Sequence, residues 1–95
     1  MELRAFQDVI SRTYLDRDRA RGADGTFRWL VEEVGEVARA MRGGNRDELI
    51  HELGDALAWL TSVANMVDVD LESAANRYAA GCPRCGSLPC ACEPR

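Results

Sequence analysis

Two long segments of helical period joined only by Gly43-Gly44 set the strongest constraint on this fold. Before the glycines, Phe27, Leu30, Val31, Val34, Ala38 and Met41 fall on one stripe. After them, Leu49, Leu53, Ala56, Leu57, Leu60, Val63, Ala64 and Val67 fall on another. Apolar residues at spacings of three and four mark amphipathic helices. So short a link makes the two an antiparallel hairpin. Thr26 is the expected N-cap of the first, and Asn45 of the second, with Glu48 three residues on in a capping-box arrangement. Upstream, Leu3, Phe6, Ile10 and Thr13 predict a helix over residues 2–18. The stretch from Asp16 to Gly25, with two glycines and dense alternating charge, predicts a loop. Asp68 or Asp70 is expected to cap a short last helix running through Leu71, Ala74, Ala75 and Tyr78, broken by Gly81-Cys82-Pro83. No strand is legible. The expected fold is all-α: a four-helix-type bundle over residues 1–80 built around the hairpin, then a Cys-rich tail over 81–95.

The chain has 95 residues, sixteen acids and twelve bases, and a net charge of −4. That excess of acid argues against a duplex nucleic-acid binder, which needs a basic footprint. No apolar run approaches a membrane span, and the N-terminus Met1-Glu2-Leu3-Arg4 has no signal-peptide core. A cytosolic protein is the expectation. About 80 residues must fold without the four cysteines, all of which follow residue 81. Chains this small usually add a metal, disulfides or a partner subunit, so a homodimer or homotetramer is expected.

The chemistry is concentrated on the hairpin. Its first helix carries Glu32-Glu33-Val34-Gly35-Glu36 and its second Glu52-Leu53-Gly54-Asp55. Acids three residues apart share nearly one helix face. Measured from the centre of each apolar stripe, Glu33 and Glu36 lie at roughly −100° and −160°, and Glu52 and Asp55 at roughly −90° and −150°. For one handedness of the hairpin these offsets converge on its seam. Glu36 and Glu52 stand at matching heights, both about 11 Å from the turn, with Glu33 and Asp55 one helical turn further on. Four carboxylates so close raise one another's pKa values unless a cation sits among them. An all-oxygen ligand set selects Mg²⁺, Mn²⁺ or Ca²⁺ over zinc, and Mg²⁺ commonly bridges carboxylates to substrate phosphates. The alternative is a solvated acidic face. Trp29 and Trp59 fall on the same side of their helices. They could stack on a nucleobase or fill a subunit interface.

These residues, EExxE at Glu32 to Glu36 and ExxD at Glu52 to Asp55 with fifteen residues between them, resemble the signature of MazG-like nucleotide pyrophosphohydrolases. The resemblance covers nearly the whole chain. It implies an oligomeric all-α bundle that cleaves a nucleoside triphosphate to the monophosphate and pyrophosphate with Mg²⁺. It also implies Glu33, Glu36, Glu52 and Asp55 as metal ligands, with Glu32 orienting or activating water. The chemistry would be metal-assisted hydrolysis. Where relatives place Lys near the end of the last helix, this chain has Asn76 and Arg77, and Arg is not a neutral exchange for Lys. Arg17, Arg19 and Arg21 are alternative phosphate contacts. His51 reads as a surface or interface residue. Two rivals stand beside this reading. One is the related phosphoribosyl-ATP pyrophosphohydrolase, whose ExxD is typically followed by an apolar-Tyr-His stretch where this chain has Ala56-Leu57-Ala58-Trp59. The other is a non-catalytic helical adaptor.

In the tail, Cys82, Cys85, Cys90 and Cys92 give C-x2-C-x4-C-x-C. Four thiolates within eleven residues can wrap a tetrahedral Zn²⁺. The first half is a zinc-knuckle spacing and the second is not a standard one. A reduced, disordered tail and redox-active thiols are the alternatives. Disulfides are not expected in the cytosol.

Overall fold

The computed structural model describes residues 1–95. Four helices follow in order: α1 (Leu3–Arg21), α2 (Ala23–Gly43), α3 (Arg46–Met66) and α4 (Leu71–Asn76). There is no strand. The α2–α3 hairpin forms the largest interface, α1 lies chiefly against α3, and α4 rests on α1. The chain is therefore a three-helix arrangement with a short fourth helix, rather than four comparable helices. The last helix stops at Asn76 and passes into turns through Ala80, short of Tyr78.

The hairpin forms as its sequence dictates. The α2 helix closes at Gly43-Gly44, with the Gly44 N–H donating to the Ala40 carbonyl. The Asn45 side chain accepts from the Glu48 N–H at 3.0 Å and so caps α3. Asp70, not Asp68, caps α4, accepting from the Ser73 N–H and hydroxyl. Gln7 fastens the far end of the hairpin to α1. Its amide donates to Asn65 Oδ1 and the Val69 carbonyl, and its oxygen accepts from the Leu71 N–H at 2.8 Å. Arg4 pairs with both Asp70 and Glu72.

The loop expected over 16–25 is not there. The α1 helix continues to Arg21, a single residue intervenes, and α2 begins at Ala23. Gly22, at φ 90°, makes the break in a conformation an L side chain rarely adopts. Thr26 is not a cap but lies inside α2, fully buried, its hydroxyl donating back to the Gly22 carbonyl. Asp18 is also buried, held by Arg21 at 2.8 Å. Of the charges that suggested solvent, Asp18 and Arg21 pair within the corner, while Asp16, Arg17, Arg19 and Asp24 stay exposed.

Few residues are fully buried, and they are mixed in character. The only fully buried apolar residues are Ile10, Ala40 and Ala64, while Thr26, Thr61, Ser62 and Asp18 are buried beside them. Much of the predicted apolar stripe on α2 and α3 lies open: Phe27, Val31, Val34, Met41, Leu53, Leu57, Leu60 and Val67 are all exposed. The accessible surface is 7217 Å², against about 5,400 Å² for a compact monomer of this mass. The radius of gyration is 15.5 Å, against about 12.4 Å for a globule of this length.

Candidate active site

The hairpin folds with its acids toward the seam and much of its apolar stripe left open. Glu33, Glu36, Glu52 and Asp55 are each half-buried, whereas Glu32 is exposed. Glu33 is the hub of the group. Burial, then the charges of Glu52, Asp55 and Glu36 in that order, push its carboxyl above the usual carboxylate range. Glu33 Oε2 and Glu52 Oε2 are both buried without a hydrogen-bond partner. A buried carboxylate oxygen left unpaired is costly, and a divalent cation is the partner that would satisfy both oxygens at once. Four carboxylates are hard donors that fit Mg²⁺ or Mn²⁺, with the His51 ring nitrogen beside Glu52 and Asp55 at the rim.

The other two acids are partly engaged at the rim. Glu36 accepts from Arg39 at 2.9 Å. His51, itself largely exposed, reaches Asp55 at 3.2 Å and stands 4.0 Å from Glu52. His51, Glu52 and Asp55 offer ligand atoms within 4.8 Å of one another. His51 thus touches the acid group, one and four residues from its α3 members, a spacing visible in the sequence. Gly35 and Gly54 stand on the open side, where an added Cβ would meet nothing within 4 Å.

Residues 21–83 match the model of the MazG nucleotide pyrophosphohydrolase domain. The chain belongs to this family. No curated protein matches it. The MazG match spans both acid pairs and both tryptophans, but begins after Asp18 and ends before Cys85.

Beside the MazG acids lies a cavity of about 250 Å³, lined by Tyr14, Arg17, Asp18, Arg21, Asp55 and Trp59 together with Ala58 and Ser62. It gathers two of the phosphate-contact candidates, Arg17 and Arg21, against one acid of the seam. Trp29 and Trp59 stack on each other with ring centroids 5.8 Å apart and 16° between planes. The Arg21 guanidinium lies 4.9 Å from the Trp59 ring. Asn76 and Arg77 are not part of this cavity. Arg77 sits over the Tyr78 ring and borders the cysteine tail instead.

Asp18 is the residue here that sequence reasoning passed over. Its Oδ1 is held by Arg21, while Oδ2 is buried with no partner. The signal was available: Asp18 and Arg21, three residues apart, pair only if the helix runs through them.

In the tail, the four cysteine sulfurs lie within 4.8 Å of one another. This cluster could hold a metal of its own. Backbone N–H groups of Ala91 and Ser87 pull the Cys85 thiol down to about 6. Hydrogen bonding with Cys90, Cys85 and Cys82 pushes Cys92 up to about 11. No helix is long and apolar enough to cross a membrane.

Proposed function

We propose that the chain hydrolyses a nucleoside triphosphate to the monophosphate and pyrophosphate, with Mg²⁺ or Mn²⁺ held by Glu33, Glu36, Glu52 and Asp55. The observation that carries this reading is the pair of buried, partnerless oxygens on Glu33 and Glu52, two carboxyls near enough that the charge of Glu52 raises Glu33. When bound, the ion offsets phosphate charge and makes a water molecule nucleophilic near neutral pH. The chain's own residues do the rest. The four carboxylates fix the ion's place on two rigid helices rather than on loops. Glu32, next to the hub, is open to solvent and free to orient water or take its proton. Arg17 and Arg21 bring positive charge to the adjoining cavity, which offsets the negative charge of a bound nucleotide.

Self-association belongs to the same proposal. A chain with three buried apolar residues leaves its α2–α3 stripe to be covered by a second copy, as homodimer or homotetramer. The cytosol is the compartment proposed for it.

A panel of nucleoside triphosphates with Mg²⁺, scored for each product, tests the activity. The monophosphate and pyrophosphate are expected in equal amounts from at least one substrate, and nothing without metal. Orthophosphate alone, or no turnover across the panel as for an adaptor, would contradict it.

A further inference from the structure

We propose that the C-terminal tail is a structural zinc centre in which Cys82, Cys85, Cys90 and Cys92 all ligate one Zn²⁺. In a tetrahedron with Zn–S bonds of about 2.3 Å the sulfurs stand about 3.8 Å apart. Here Cys82 Sγ and Cys92 Sγ are 3.8 Å apart, and Cys85 Sγ and Cys90 Sγ are 3.9 Å apart. The backbone is built around that arrangement. The Gly86 N–H donates to the Cys82 carbonyl at 2.7 Å, and the Cys82 N–H to the Ser87 carbonyl at 3.0 Å. Gly81, at φ 112°, comes so close that a Cβ would lie 2.7 Å from the Ser87 carbonyl oxygen. The Ala91 and Cys92 N–H groups donate to Cys85 and Cys90 sulfurs at 3.3 and 3.4 Å, as thiolates require in a second coordination layer.

Little buried apolar surface supports this segment. No residue from 81 to 95 is fully buried, and Leu88 is exposed, so apolar burial does not hold it. Loading is balanced as Zn²⁺ with four thiols giving a tetrathiolate centre of charge −2 and four released protons. Arg77, Arg84 and Arg95 border the cavity beside it and offset that charge. The all-sulfur donors separate this centre from the carboxylate seam, which takes a hard ion.

The test uses full-length protein expressed with added zinc. One zinc per chain is expected by elemental analysis. Reduced protein loaded with Co²⁺ should show the visible and charge-transfer bands of a tetrahedral thiolate site. The double variant Cys82→Ser/Cys85→Ser should lose both while keeping the helical signal of residues 1–80. Reduced protein that takes up neither Zn²⁺ nor Co²⁺, or a double variant that holds zinc as well as the parent, overturns the proposal.

Asp18 carries a second, independent inference, which rests on the hydrolase reading. We infer that Asp18 reads the nucleobase, favouring bases with an exocyclic amine over those with a carbonyl in its place. Asp18 lines the cavity next to Asp55, and its Oδ2 is buried with no partner. A carboxylate only accepts hydrogen bonds, so its ligand must donate. The cavity, at about 250 Å³, falls below the roughly 300–1,000 Å³ of pockets that engulf a drug-sized ligand. It suits one ring system, with the phosphates passing out beside Asp55. A carbonyl edge placed on Asp18 is repelled. The ring N–H of uracil or thymine lies between two such carbonyls.

The comparison is kcat/KM for dCTP against dUTP and for dATP against dITP, each pair exchanging one exocyclic amine for a carbonyl. Wild type should favour the amine in at least one pair by about tenfold or more, and Asp18→Asn should erase that preference through KM. Equal use within both pairs, or the same ratios in Asp18→Asn, overturns the inference. Equilibrium binding of the matching monophosphates reads the same preference without turnover. An inactive protein that still discriminates them would therefore count against the hydrolase reading alone.

Discussion

Glu33 bears the cost of gathering four acids in one seam. Its carboxyl is raised above the ordinary 4.5 by burial first and by Glu52, Asp55 and Glu36 next. A carboxyl raised in the folded state contributes stability that is complete below the unfolded pKa and is lost as pH rises through the folded value. In chelator, the melting temperature should therefore carry a downward slope with pH starting near 4.5. Glu33→Gln should remove part of that slope and raise the melting temperature by a few degrees at pH 7. Calorimetry at several pH values checks this, and an unchanged slope in the variant would contradict it. The four acids were legible because helical angle and height are arithmetic on the sequence. The detailed pairing was not: Glu33 feels Glu52 before Asp55, and height along a helix does not fix where a flexible side chain ends. Asp18 escaped because a buried ion pair and a solvated charge run look alike until the helix through them is known.

At the scale of elements, local chemistry was readable wherever it was self-contained. Asn45 caps α3 and Asp70 caps α4 through their own side chains. Asn45→Ala should cost about 0.5–2 kcal/mol, seen as a lower midpoint in urea with an unchanged slope. A variant within error of the parent would remove the cap from the account. The corner at Gly22 was not readable, because its signals point both ways. Arg19 and Arg21 suit the C-terminal turn of a helix as well as a loop, and Thr26 suits a cap as well as a back-bonded helix position. The apolar stripes were legible as faces. Periodicity says which side of a helix is apolar, but not whether this chain or another covers it. Here the acids face the seam and much of the stripe on α2 and α3 remains open.

For the whole molecule, that open stripe predicts self-association. A surface of 7217 Å² with Val34, Met41 and Leu53 more than half exposed should not persist alone in water. Light scattering at micromolar concentration should give a dimer or tetramer mass, and Val34→Arg should lower both the mass and the melting temperature. A monomer mass for wild type would contradict the expectation. The central claim is that the carboxylate seam is the metal site of this MazG chain. It is tested most directly by melting temperature against Mg²⁺ concentration for wild type, Glu36→Gln and Asp55→Asn. Binding to the folded state alone raises stability by mass action. Wild type should climb steadily with Mg²⁺, while both variants stay folded and climb much less. Variants that follow the wild-type curve would show that the ion, if it binds, is held somewhere else.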